Sequence, residues 1–432
     1  MARNNLLWRS VAIGGSLALV LAACGSDDGD EPAAATPEAT EEAADDGAGG
    51  DGTLSIGTLL PQTGQLAFLG PPMITGTELA VEEINAAGGV LGNEVEKTDA
   101  DEGDEISNIV AQSADTLLNE GVEAIVGAAA SGQSNAVLDR ITGAGVVMIS
   151  PSNTSPAFTD ADDNGLYFRT APSDVLQGRT LGDRILEDGI GSVAILSRQD
   201  SYGEGLANKI AETVEDGGAE VVYGPEFYPP DEESFETAVN EAADSGAEAF
   251  VVVSFDEIAS IIPAAVSRNF GPQDVPWYLV DGNMKNFSSG EFELDPGTME
   301  GTVGTIPGQP LDEGFVERLN ETRGEDLEDL TFAGQAYDAV ILLGLAAEAA
   351  GDVSSEAIAA QLPAVSAPEG TECSDFAECR DLIAAGEDID YVGQSGPIDL
   401  NEVGDPASAT IGIYEYLPDN TFEQIDEVQG QL

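Results

Sequence analysis

The chain has 432 residues, of which 81 are acidic and 14 basic, giving a formal net charge of −67; it contains three cysteines and no histidine. That charge excludes nucleic acid as a partner, since phosphate binding needs a cationic surface, and it argues equally against docking on anionic lipid headgroups. The missing histidine excludes Ser-His-Asp and Cys-His hydrolases, histidine-ligated zinc and histidine proton shuttles. Only Lys97, Lys209 and Lys285 are lysines, and none stands in a Ser-x-x-Lys context. Paired carboxylates of the glycosidase kind arise by chance in so acidic a chain. No catalytic residue, metal ligand or cofactor is therefore assigned. The plainest account of the charge is a solvated acidic surface, as in proteins adapted to high salt.

At the start of the chain, Arg3 and Arg9 give a short positive segment, and residues 11–23 form an apolar run too short to span a bilayer comfortably. The run ends in Leu21-Ala22-Ala23-Cys24, which resembles the bacterial lipobox. Residues 1–23 read as a lipoprotein signal peptide, with Cys24 as the lipidated residue. Two acyl chains anchor stably where one does not. Residues 24–52 are mostly Asp, Glu, Ala, Gly and Pro with almost no apolar bulk, the composition of an acidic tether. No later segment carries about 18 consecutive apolar residues. With Cys24 taken by lipid, Cys373 and Cys379 remain as a pair in an oxidising compartment, and a disulfide between them would pin a local loop.

From residue 53, short apolar runs alternate with helical periodicity, the pattern of βαβ units and parallel sheets. Residues 54–60 read as a strand. Ile74, Thr77, Val81 and Ile84 then recur at helical spacing until Gly88-Gly89 stops the helix. Strands follow at 94–99, 124–127 and 146–149, with helices at 106–119 and 135–142 between them. After Pro172 the alternation restarts, with strands at 192–196, 220–223, 249–253 and 277–280 and helices at 202–216, 234–243 and 258–268. Later helical runs, 315–321, 332–350 and 356–362, lack the strands of a third domain and are expected to cover the first lobe. The run 410–416 is a strand candidate for the second. The fold class expected is α/β, with two doubly wound parallel-sheet lobes.

Ligands of open α/β sheets bind beyond the carboxyl ends of the strands, where helices present their N-termini. Residues 127–134 (GAAASGQS) follow such a strand and open a helix, so free backbone N–H groups there favour a carboxylate, with Ser131 adding a hydroxyl and Gly132 allowing close approach. The spacing also fits a P-loop, but the lysine position holds Gln133; a merely structural turn is the other reading. Ser152-Asn153-Thr154, taken by itself, is best explained by capping of the next turn.

The order and spacing of 86–92 (AAGGVLG), 149–156 (ISPSNTSP), 201–205 (SYGEG) and 391–399 (YVGQSGPID) resemble the type I periplasmic binding proteins of branched-chain amino acid ABC transporters. The resemblance implies two lobes joined by three hinge strands: residues 53–170 with 302–406, and 171–301 with 407–432. Crossings would fall near Thr170, near Thr302 and around 407–411. It implies that Thr154 serves a ligand carboxylate or ammonium, that Ser152 offers its carbonyl to the ammonium, and that Asp281 pairs with that ammonium from the opposite lobe. Tyr202 aligns with an aromatic that closes over the ligand, and Phe255 or Asp256 lies near a second such position. Leu69 stands where branched-chain binders often place an aromatic, so side-chain specificity is open: relatives of this fold also bind amides, urea or aromatic acids. The function implied is a monomeric, lipid-anchored extracytoplasmic protein that closes on a small molecule and presents it to permease subunits of an ABC importer. A sensor reporting ligand to a separate signalling protein is the alternative; a hydrolase has no nucleophile–base pair to support it.

Overall fold

The computed structural model describes residues 52–290 and 292–431. The signal segment, Cys24 and all of the tether except Gly52 lie outside the described residues. The first sheet contains β1 (Ser55–Leu60), β2 (Glu96–Asp101), β3 (Ala124–Gly127), β4 (Val147–Ser150) and β5 (Tyr167–Arg169) in the order β2-β1-β3-β4-β5. All its pairings are parallel. The central strands β3 and β4 are buried at every residue, as parallel strands covered on both faces must be. The edge strand β2, EKTDAD, is half-exposed and charged, which blocks pairing with another chain. Helices α1 (Gly70–Ala86), α2 (Val110–Glu120) and α3 (Ser131–Gly143) make the connections.

After Arg169 the chain crosses to a second, seven-stranded sheet. Its elements are α4 (Asp174–Glu187), β6 (Ser192–Arg198), α5 (Ser201–Asp216), β7 (Glu220–Tyr228), α6 (Glu236–Asp244), β8 (Ala249–Val253), α7 (Ile258–Val266), β9 (Trp277–Leu279) and β10 (Val303–Pro307). The chain then returns to the first layer through α8 (Glu313–Arg323), α9 (Ala333–Ala350) and α10 (Ser355–Gln361). A small third sheet follows, with β11 (Thr371–Cys373), α11 (Phe376–Ala385), β12 (Ile389–Gly393) and β13 (Gly396–Pro397). Finally β14 (Ser408–Tyr416) and β15 (Phe422–Gln431) complete the second sheet, ordered β15-β14-β10-β9-β8-β6-β7. Because β10 lies in this sheet, the return crossing follows Pro307, one strand beyond the position near Thr302 expected from sequence.

Helix α9 is buried from Ala333 to Ala347 without a break. A helix apolar on all sides must be enclosed on all sides. It packs in one core with β1, β3, β4 and the Cys373–Cys379 region, and that pair forms a disulfide. The later helices therefore do cover the first lobe. Among the described residues no helix is long and apolar enough to cross a membrane.

Candidate functional site

Each sheet has a topological switch point, where neighbouring strands send their connections to opposite faces and leave a crevice at their carboxyl ends. In the first sheet it lies between β1 and β3, and in the second between β6 and β8. The loops leaving these strands meet each other. Leu66 and Leu69 follow β1, and Ala129, Ala130 and Ser131 follow β3; Tyr202 follows β6, Phe255 follows β8 and Asp281 follows β9. Together with Ser152, Gly282 and Phe332 they line one small cavity of about 20 Å³. That is room for about one water molecule, so a larger ligand enters only if the two lobes part.

Asp281 is the charged residue of the cavity lining, and side chains of the second lobe hold it in place. Asp281, 4% exposed, accepts at Oδ1 from Gln177 Nε2 at 2.7 Å and from the Tyr202 hydroxyl at 2.8 Å. Gln177 also reaches Thr305 Oγ1 of β10 at 3.3 Å. Asp174, fully buried in the first turn of α4, lies within reach of the Asp281 charge but does not line the cavity. Burial, and then the nearby Asp281 charge, raises the Asp174 pKa well above the usual carboxylate range. Burial likewise pushes Asp281 up to about 6, against the hydrogen bonds from Gln177 and Tyr202 that favour its charged form. Two buried carboxylates side by side are an unfavourable arrangement that a cation relieves. The aromatic wall is equally ordered. Tyr202 and Phe255 stack with centroids 5.4 Å apart, and the Arg198 guanidinium lies 3.6 Å from the Phe255 centroid on that ring.

The structure thus brings five residues singled out from sequence, Ser131, Ser152, Tyr202, Phe255 and Asp281, to one cavity. Gly132 and Thr154 do not line it. A Cβ on Gly132 would meet Glu105 Oε1 at 2.3 Å, so this glycine accommodates a carboxylate of the chain itself. Thr154 is fully buried and does not reach the cavity; its carbonyl accepts from the Asp174 N–H at 2.7 Å. The loop after β3 departs further from expectation. The N–H groups of Ala129 and Ala130 are taken by the Glu102 carboxylate, with Ala130 N at 3.1 Å. Burial raises Glu102 to about 8. The backbone donors left for a ligand are those of the first turn of α3, beginning at Ser131.

Sequence reasoning missed Asp174, Gln177, Glu102 and Phe332. A signal existed for the first two. On α4 the buried stripe runs Asp174, Gln177, Gly178, Leu181, Ile185, so a carboxyl and an amide occupy positions that helical periodicity reserves for core. No such periodicity marks Glu102, which sits just past β2, or Phe332, which precedes α9.

A crevice between two doubly wound lobes, apolar at its walls and acidic at its floor, defines a two-lobed small-molecule binding protein. Residues 53–375 match the family model described as periplasmic binding protein, and the chain belongs to that family. Its relatives and fold neighbours are solute-binding proteins, and it is a binding protein, not an enzyme. The chain is similar to the leucine-, isoleucine-, valine-, threonine- and alanine-binding protein of Pseudomonas aeruginosa, 28% identical over 341 residues that cover 76% of this chain and 87% of that one. It shares its fold with a branched-chain amino acid transporter substrate-binding protein of Streptococcus pneumoniae solved with isoleucine (TM-score 0.70, 24% identity, 88% and 100% of the two chains). A solute-binding protein of R. palustris solved with 4-hydroxybenzoate superposes equally well (TM-score 0.72, 18% identity, 88% and 98%).

Proposed function

We propose that the chain is the lipid-anchored, extracytoplasmic binding protein of an ABC importer, and that its ligand is an amino acid with an apolar side chain. The observation that carries the ligand class is Asp281, the charged residue of the cavity lining, whose field also acts on the buried Asp174. A ligand ammonium placed beside Asp281 stabilises that carboxylate in a site that excludes water, where such an interaction is strongest. The ligand carboxylate faces the first lobe, toward the Ser131 hydroxyl and the positive end of α3. Its side chain lies among Leu66, Leu69, Phe255 and Phe332. A ligand that touches both lobes favours the closed state by its differential affinity for that state.

The second reading, an aromatic acid without an amine, has support in the R. palustris neighbour. It leaves Asp281 facing a ligand that offers it no cation, and the amino-acid reading is preferred on that ground. Anchoring rests on the Leu21-Ala22-Ala23-Cys24 segment. Delivery to a permease rests on the family's transport relatives; a sensing role would use the same closure.

A thermal-shift screen of the full chain against amino acids, amides, urea, aromatic acids and sugars tests this reading. Leucine, isoleucine or valine at about 100 times its dissociation constant should stabilise the protein by roughly 2.7 kcal/mol. Stabilisation by amine-free acids alone would overturn the ligand class. For the anchor, the expected outcome is that Cys24→Ala releases the protein from the membrane fraction; retention there would refute lipidation at Cys24.

A further inference from the structure

Fourteen of the 432 residues are basic, yet Arg169, Arg198 and Lys285 are buried. Burying a cation is unfavourable unless partners replace its water. Arg169 is held within the first lobe and its crossing, but the other two lie on the seam between the lobes. Arg198 ends β6 of the second lobe, where Asp200 and Glu257 hold it, the latter at 2.7 Å. Across the seam it meets the first lobe: Gln65 Oε1 lies 3.3 Å from both Nη1 and Nη2, and Glu105 Oε2 lies 3.4 Å from Nη2. Lys285, also of the second lobe, has its Nζ 3.9 Å from the centroid of its own lobe's Phe292 and 4.0 Å from that of Phe68 across the seam. Gln65 and Phe68 belong to one loop, the segment between β1 and α1.

We infer that Arg198 and Lys285 are two clasps that grip the β1–α1 loop when the lobes close, and that they set how long the closed state holds its ligand. The inference rests on the reading of the cavity as the ligand site. Both cations have partners inside the second lobe, so opening leaves neither of them bare, while it takes Gln65, Glu105 and Phe68 away. The clasps are preassembled on one lobe and complete on contact with the other. Arg198 also stacks on Phe255, a wall of the cavity, so it is a positioning residue that ties the wall to the seam. Neither Gln65 nor Phe68 lines the cavity, so changing them alters closure without removing a ligand contact. Because the clasps are buried, salt screens them little.

The test is the double variant Gln65→Ala/Phe68→Ala in the full chain, compared with wild type by stopped-flow kinetics with leucine and by small-angle scattering without ligand. Leucine should dissociate about tenfold faster from the variant, with an association rate within about twofold of wild type, since closure affects escape more than encounter. The difference should persist from low to high salt, and the unliganded variant should show the larger radius of gyration. Phe68→Tyr, which keeps a ring against Lys285, should behave as wild type. Equal dissociation rates and equal radii would overturn the clasps. If wild type itself binds no amino acid, the reading of the ligand falls, and the scattering comparison alone decides the clasps.

Discussion

At the scale of single residues, Asp281 serves two opposed ends. Its carboxylate is buried, raised to about 6 and beside Asp174, so without a ligand cation it is a source of instability; with one it is an anchor. Asp281→Asn keeps an oxygen to accept from Gln177 and Tyr202 but removes the charge. We expect it to weaken amino-acid binding by about 10- to 100-fold, equivalent to roughly 1.4–2.8 kcal/mol, while leaving the unliganded protein no less stable. Titration calorimetry and thermal melts of the same sample check the two halves of that outcome. Asp281 was legible because it follows a strand end in a recognisable place. Asp174 was legible only in principle: an acid in the first turn of a helix is ordinary dipole complementarity, and its place on the buried stripe emerges only once α4 is known. Glu102 was not legible, since its role depends on a loop 27 residues away.

The elements were read more fully than their edges. Every strand of the first sheet except β5 was anticipated, and α5 and α9 begin and end within a residue of expectation, because long periodic segments state their own geometry. The short strands of the third sheet and the edge strand β15 were missed, being brief or polar and held by neighbours rather than by pattern. The SYGEG segment has a packing reason as well as a family one: a Cβ on Gly205 would come within 2.7 Å of Pro156 Cδ, where α5 of one lobe meets the turn after β4 of the other. The last crossing is secured by Arg169, whose Nε and Nη2 pair with Asp405 at 2.6 and 2.8 Å while Nη1 donates to the Ser155 carbonyl at 2.8 Å. Arg169→Ala leaves Asp405 buried and unpaired and should destabilise by about 3–5 kcal/mol in denaturant melts. A change below about 1 kcal/mol would show that the site loop does not depend on this pair. Loss of the Cys373–Cys379 disulfide, which closes a short loop, should cost about 2 kcal/mol on the chain-entropy account, without altering ligand affinity.

For the whole molecule, the two lobes bring a surface dominated by carboxylates around a cavity that also ends in carboxylates, and pH separates the two contributions. Asp281 binds its proton more tightly folded than unfolded, so its contribution to stability is fully present below about pH 4 and is lost progressively as pH rises to about 6, above which the buried charge is a net cost. Ligand binding runs the other way, because an ammonium pairs with the ionised carboxylate: affinity should fall as pH drops through about 6, although the unliganded protein gains from the same protonation. A titration of affinity against pH that stayed flat from 8 to 5 would remove Asp281 from the ammonium. Calorimetric titration at pH 8 of wild type and Asp281→Asn with leucine and, separately, with 4-hydroxybenzoate separates an amine-bearing ligand from an amine-free one. Leucine is expected to bind wild type and to be weakened at least tenfold by the substitution, while 4-hydroxybenzoate binds neither. Binding of 4-hydroxybenzoate to wild type without binding of leucine would contradict the amino-acid reading.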